Sequence, residues 1–317
     1  MINKSALLIL PVLAVVLVSG CVGPSGPGVA TGAGLVITDW EPDFSQVNSN
    51  EKVRVQLRAQ NQGQVRAENI EAEITGIDIT EWGTLMGFSA KKQLGSAMYA
   101  DPETGTPGAV LTATWDLEAP KLSKGVDFTY EPIVKLAYDY KTTAQKPITL
   151  VDIDELRNIM QQGKSLPSEP TTYSAGPLAV EIRTGDYVKT SDDFGKVYDI
   201  FPLYVKVTNT QWEQGGTVTQ KGVMFPTGEV SYPVEMKITP PTGTNFVFSG
   251  FGQNCGQNVI MDLWQGKDAE ITCELDVTSP PTYREEKLIN VELQYRYRTE
   301  AATQVRVVGT QTPGGLF

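Results

Sequence analysis

Alternation with a period of two runs through this chain. Val53, Val55, Leu57 and Ala59 alternate with Arg54, Gln56, Arg58 and Gln60, and Ile70, Ala72 and Ile74 alternate with Glu71, Glu73 and Thr75. Successive side chains of an extended strand point to opposite faces, so this pattern buries one face and wets the other. Turn-forming clusters separate the runs: Asn61-Gln62-Gly63, Pro102-Glu103-Thr104-Gly105 and Pro240-Pro241-Thr242-Gly243. Many short strands divided by such turns predict an all-β sandwich. At 317 residues the chain can bury two cores, since single domains centre on about 100 to 150 residues.

The pattern repeats. Residues 115–151 align with 273–308 so that Leu136, Tyr138 and Tyr140 match Leu293, Tyr295 and Tyr297, and residues 53–64 parallel 202–216 with Asn61 and Asn209 closing their strands. In both copies the first alignment reads as a long strand, a polar turn and a second strand. A tandem duplication follows. The chain divides into a leader (1–20), a tether (21–34), a first sandwich (35–150), a helix and linker (151–175), a second sandwich (176–310) and a tail (311–317). The helix is signalled by Asp152 as cap, Glu155 three residues on, an apolar stripe of Ile153, Leu156, Ile159 and Met160, and Gly163 as terminator. It is expected to pack across the junction of the two units. A weaker helix is expected over Ser89 to Tyr99.

The amino terminus has the layout of an export signal. Lys4 precedes an apolar run from Ala6 to Val18, which is short for a bilayer span. The run closes in Val18-Ser19-Gly20-Cys21, and Val22 to Gly34 is rich in Gly, Pro, Ser and Ala, a composition that stays extended and unpacked. The Val18 to Cys21 segment resembles the lipobox of bacterial and archaeal lipoproteins. That resemblance implies cleavage before Cys21, lipid on its sulfur, and a body held at the extracellular face of the cell membrane; an ordinary signal peptide with Cys21 incidental is the other reading. Removing residues 1–20 takes away Lys4 alone among the charged groups and leaves 25 basic side chains against 37 acidic. An acidic body without Lys/Arg clusters is not expected to bind nucleic acid.

The chain contains no histidine. Ser-His-Asp and Cys-His nucleophilic catalysis, histidine bases and His-ligated zinc are therefore excluded. Gly163-Lys164-Ser165 ends like a phosphate loop but follows a helix and has Asn158 where the first glycine belongs. Ser89 and Lys92 match S-x-x-K, yet the companion motifs of that chemistry are missing. Asp186, Asp192, Asp193 and Asp199 could line a calcium site or simply occupy solvated turns, and they lack EF-hand spacing. A glycosidase pair among the carboxylates is neither indicated nor ruled out. No metal or cofactor is expected.

Cys255 and Cys273, in a chain bound for an oxidising exterior, are expected to form a disulfide. Trp82, Trp212 and Trp264 stand beside glycine turns, where rings either cap a core or face a partner; Trp212 and Trp264 are the candidate partner-binding residues. The strand-then-Asn/Gly segments resemble the immunoglobulin-like sandwiches of prokaryotic surface proteins, in particular CARDB-type adhesion modules. This resemblance implies two tandem immunoglobulin-like domains acting in adhesion or surface assembly, non-catalytic, with an envelope protein or glycan as partner. The alternative is a carbohydrate- or substrate-binding lipoprotein serving a transporter or enzyme.

Overall fold

The computed structural model describes residues 33–84, 88–101, 103–185, 188–191, 197–220, 231–246, 255, 258–279 and 281–310. The first unit contributes β1 (Leu35–Pro42), β2 (Gln46–Asn48), β3 (Lys52–Asn61), β4 (Ala67–Thr75), β5 (Gly83–Thr84), β6 (Lys91–Ala97), β7 (Val110–Glu118), β8 (Asp127–Tyr130) and β9 (Ile133–Val151). After α1 (Ile153–Gln161) and β10 (Thr172–Tyr173), the second unit contributes β11 (Leu178–Thr184), β12 (Val188–Ser191), β13 (Val197–Asn209), β14 (Thr217–Thr219), β15 (Pro233–Thr239), β16 (Thr244–Phe246), β17 (Val259–Asp262), β18 (Asp268–Val277), β19 (Arg284–Ala302) and β20 (Val305–Val308).

The chain folds into two β-sandwich units of immunoglobulin type, built alike. Sheet order β1-β3-β7-β5 in the first matches β11-β13-β18-β16 in the second, and β6-β4-β9 matches β17-β15-β19. Registers match as well: Leu35 pairs Asn61 as Leu178 pairs Asn209, Leu57 pairs Ala113 as Val205 pairs Ile271, and Ala72 pairs Leu136 as Met236 pairs Leu293. Tyr138 and Tyr295 thus hold equivalent places on equivalent strands. Alternation does the sorting within each strand. Val53, Val55, Leu57 and Ala59 of β3 are buried while their neighbours face water, as the sequence pattern requires.

The units are not separate sandwiches joined by a helix. β9 and β19 pair antiparallel along their whole 19-residue lengths, so one eight-stranded sheet crosses both units. Each long strand occupies the place beside its neighbour where that sandwich's own last strand would stand. β20 then leaves the second unit and inserts between β2 and β8 of the first. The expected polar turn near Lys141 to Thr143 does not form. β19 takes up the backbone there, Thr142 is buried with its hydroxyl 2.8 Å from that of Tyr295, and Lys141 reaches Glu292 at 2.6 Å. In the second copy the strand does break, between β19 and β20.

The expected helices fare differently. α1 begins at Asp152, whose side chain accepts the Asp154 N–H, and ends at Gly163 in the left-handed region. Its described side chains are exposed or half-exposed, Met160 of the apolar stripe among the exposed, so it does not pack across the junction as expected. The paired strands leave no such interface to fill. The segment expected as a second helix is the edge strand β6, because Lys91 to Ala97 finds open hydrogen-bonding groups along β4.

Alignment of the two long strands places Asp139 opposite Arg296, and these two residues also pair across the sheet, so an approximate two-fold axis passes between them. Arg296, only 7% exposed, donates to Asp139 at 2.8 Å and to Glu71 at 2.6 Å, joining three strands. On the opposite face Tyr138, Tyr140, Tyr295 and Tyr297 pack with ring centroids 5.9 to 6.3 Å apart. Their hydroxyls are placed: Tyr138 accepts the Leu35 N–H, Tyr140 donates to the Ala175 carbonyl, and Tyr297 donates to Asn209 Oδ1. Asn61 and Asn209 repeat one role. Each spans its strand end, donating to Val65 and Ala97 carbonyls in one unit and to Gly216 and Gly266 carbonyls in the other.

Burial pushes the phenols of Tyr138 and Tyr295 well above the ordinary tyrosine value and that of Tyr140 up to about 12. An unfolded chain ionises its tyrosines near pH ~10, so above that pH the unfolded state binds fewer protons than the folded one. The tyrosine contribution is therefore whole below about pH 10 and is lost as the pH climbs toward 12. The melting temperature should fall across that interval, with phenolate absorbance from these residues appearing together with unfolding; ionisation well before unfolding would contradict the buried junction. Arg296→Ala should cost about 2 kcal/mol in urea denaturation, since it removes charged hydrogen bonds to Asp139 and Glu71 and leaves Asp139 with Asn69, and Glu71 with Lys91 and Gln93.

Candidate functional site

The two tryptophans singled out for contact lie at one corner of the second unit. Trp212 opens a single 3₁₀ turn, Trp212–Gln214, which Gly215 ends in the left-handed conformation. The chain then passes Gly216 so closely to the Tyr297 hydroxyl that a β-carbon there would sit 2.3 Å from it. Only glycine lets the backbone turn back against the junction tyrosine and start β14.

Trp264 stands on the turn between β17 and β18. Its N–H donates to the Asp268 carbonyl at 2.8 Å, and Lys267 N–H closes the turn onto the Trp264 carbonyl at 2.9 Å. Gln265 and Gly266 both take positive φ, which a two-residue tight turn demands. A β-carbon on Gly266 would meet Trp212 at 2.9 Å and Tyr232 at 3.1 Å, so that glycine is the packing floor shared by both rings. The Lys267 ammonium lies 5.4 Å from the Trp212 ring centre, within reach of a cation–π contact. The turn is held from below by Asn209, which donates to the Gly266 carbonyl at 3.0 Å and whose N–H donates to the Lys267 carbonyl.

The two rings differ in exposure. Trp212 is half-buried, whereas Trp264 is 73% exposed with its side chain presented to solvent. Beside Trp212 a hollow of about 320 Å³ is lined by Thr217, Thr219, Ser231, Tyr232 and Arg298. Asp262 secures its far wall, accepting from the Ser231 hydroxyl at 3.1 Å and from the Tyr232 N–H. An aromatic wall, hydroxyls and a guanidinium are groups that hold a polar ligand by stacking and hydrogen bonds. Tyr232 and Arg298 carry no signal in the sequence, because only the fold brings β14, β15 and β19 side by side.

Other candidates resolve differently. Trp82 is a core residue, stacked edge to face with Tyr130 at 5.1 Å, and Trp40 and Trp115 form a second buried T-shaped pair at 5.6 Å. Ser89 donates its hydroxyl to the Lys91 carbonyl while Lys92 lies over Trp115, so the S-x-x-K pair does not converge. Gly163 and Lys164 donate their N–H groups back to the Met160 and Ile159 carbonyls, the pattern of a helix end. Cys255 and Cys273, both buried, stand in disulfide geometry with Cα atoms 5.9 Å apart. Cys21, Asp186, Asp192 and Asp193 lie outside the described residues, as does the side chain of Asp199 on β13. Among the described residues no group of three acids or cysteines could hold a metal ion.

No protein-family model matches the chain, and no curated protein matches it. Among solved structures it was aligned with one described as "The Enterococcus faecalis MSCRAMM ACE binds its ligands by the collagen Hug Model". The alignment spans 90% of this chain and 99% of that one at 8% identity, with a TM-score of 0.13. A superposition of that quality carries no argument about either fold or function.

The corner makes a divided prediction. Trp264→Ala should change stability by less than about 0.5 kcal/mol, as for an exposed side chain. Trp212→Ala, which empties the space between Gly266 and the hollow, should cost about 2 kcal/mol or more. Equal costs in chemical denaturation would show that both rings are packing residues.

Proposed function

We propose that this protein is a lipid-anchored, non-catalytic binding or structural module working at the outer face of a cell envelope, through a stiff two-unit body. The observation that carries the reading is Trp264, a large apolar ring held out into solvent on a tight turn that Asn209 braces from the core. Tryptophan is among the costliest residues to leave in water, and exposed rings on rigid turns are where binding energy concentrates. The shared sheet supports it, since a body without a hinge between its units presents such a corner at a constant position. The histidine-free composition supports the absence of catalysis by the common nucleophilic routes. The apolar run ending in Cys21, followed by a Gly/Pro-rich tether, supports the anchor.

A second reading, capture of a carbohydrate or another polar substrate for a transporter or enzyme, is favoured by the hollow beside Trp212 with its hydroxyl and guanidinium lining. The two readings separate experimentally. In a pull-down from envelope extract, Trp264→Ala should abolish capture if a macromolecular surface is engaged, and leave small-sugar binding by calorimetry unchanged. The substrate reading requires the converse, with Tyr232→Ala and not Trp264→Ala removing a calorimetric signal. Cys21→Ser should release the processed protein from membranes into the soluble fraction. Retention after processing would place the anchor elsewhere.

A further inference from the structure

The last residues before β1 are held between two equivalent corners of the body. The Ala33 carbonyl accepts from Gln211 Nε2 at 2.9 Å, and the Gly34 carbonyl accepts the Gln62 N–H at 2.7 Å. Gln62 follows Asn61, and Gln211 comes two residues after Asn209, the asparagines that repeat one role in the two units. Through them Ala33 and Gly34 are tied to the same place in each unit. Asn61 donates to the Ala97 carbonyl at the end of β6, and Asn209 to the Gly266 carbonyl between β17 and β18.

The connections β6 to β7 and β17 to β18 match where they close. Gln60 pairs Val110 as Thr208 pairs Asp268, and the residue before each, Ala109 and Lys267, donates its N–H at 2.9 Å to the carbonyl of Met98 and of Trp264 respectively. Met98 and Trp264 are therefore equivalent residues, one in each unit. Both are large apolar side chains facing water, 54% and 73% exposed, and Tyr99 beside Met98 is exposed as well. Alternation along β17 into its turn buries Met261 and Leu263 and leaves Ile260 and Trp264 facing outward. Neither Met98 nor Trp264 belongs to the core, so packing does not account for the match.

Chain length decides what these corners can meet. Cys21 to Ala33 spans about 40 Å at most, whatever path it takes. On the anchor reading above, the membrane surface lies within that reach of the point where Gln62 and Gln211 hold the chain. A side chain kept so close meets the surface at an effective concentration of about millimolar, at which a contact too weak to retain a free protein is populated. The tryptophan ring, apolar with a single N–H, favours the headgroup level of a bilayer.

We propose that this end of the body rests on the lipid surface, with the Trp264 ring seated among phospholipid headgroups and Met98 at the matching place on the other side of the attachment point. The proposal deepens the function given above and depends on its anchor: the partner that the Trp264 corner meets is the membrane that holds the chain. Two contacts about a central attachment resist tilting. The stiff shared sheet then stands at a set angle to the surface, and the end where Tyr283 is exposed just before β19 is the one turned outward.

The lipidated full chain, reconstituted in phosphatidylcholine vesicles doped with lipids brominated near the headgroup end of the acyl chain, tests this, because bromine quenches tryptophan only on close approach. Doping should lower the tryptophan fluorescence, and Trp264→Phe should cut that quenching at least about threefold. A fluorophore on Met98→Cys should be quenched too, and one on Tyr283→Cys should not. Flotation of the vesicles reports the anchor separately. Protein that floats but is not quenched, or whose quenching Trp264→Phe leaves unchanged, overturns the lipid contact and leaves the anchor standing. Equal quenching of the labels at 98 and 283 overturns the orientation, and protein that does not float overturns anchor and contact together.

Discussion

Everything in this fold hangs on the antiparallel pairing of β9 with β19. It joins the two halves, supplies each sandwich with the strand it would otherwise lack, and sets the axis about which the halves are related. Backbone pairing alone carries little specificity of register, because a slip of two residues keeps the same face inward. Register here is secured by what sits on each face of the pair. Four tyrosines fill one face, with hydroxyls that meet a strand start, a strand end and the linker; Arg296 on the other face has carboxylates from two strands within reach. A slip would misplace both sets at once. The axis also breaks its own symmetry where charge requires it, with Asp139 and Arg296 at equivalent positions and opposite sign.

The strands themselves were legible, since period-two alternation is a local property and β3 and β4 bury the residues it marks. Duplication was legible as well, because Leu136, Tyr138 and Tyr140 and their partners keep both type and spacing. Continuity of β9 was not. Lys141-Thr142-Thr143 has the composition of a turn, and only a partner strand bearing Glu292 and Tyr295 makes it a strand interior. The helix at 153–161 was readable from its cap and terminator, while its position against the body was not, since an apolar stripe says that a face wants cover without saying that cover exists. Ser89 to Tyr99 shows the reverse error, a segment whose state is decided by an available sheet edge.

For the candidate site, sequence pointed to Trp212 and Trp264 because glycine turns beside tryptophan are visible in one dimension. The same signal marked Trp82, which is core. What separates them is the surrounding shell. Trp82 is enclosed with Tyr130, whereas Trp264 is lifted clear by consecutive left-handed residues at Gln265 and Gly266. Tyr232 and Arg298 were invisible because their relevance comes from lying beside Trp212 in space.

The insertion of β20 between β2 and β8 has a consequence for how such a chain must be made. The first unit's small sheet is completed by residues 305–308, which are made after every other described strand of both units. Until they arrive, β2 and β8 lack the strand that lies between them, and no stopping point exists at which one sandwich is finished and the other pending. Contacts that span almost the whole sequence are slow to form and leave unpaired strands waiting. Folding of the first unit is thereby coupled to synthesis of the second. A chain truncated within β19 or β20 would lose the first unit along with the second, and any helper that shields exposed strands would have to hold both halves until residue 308 is made.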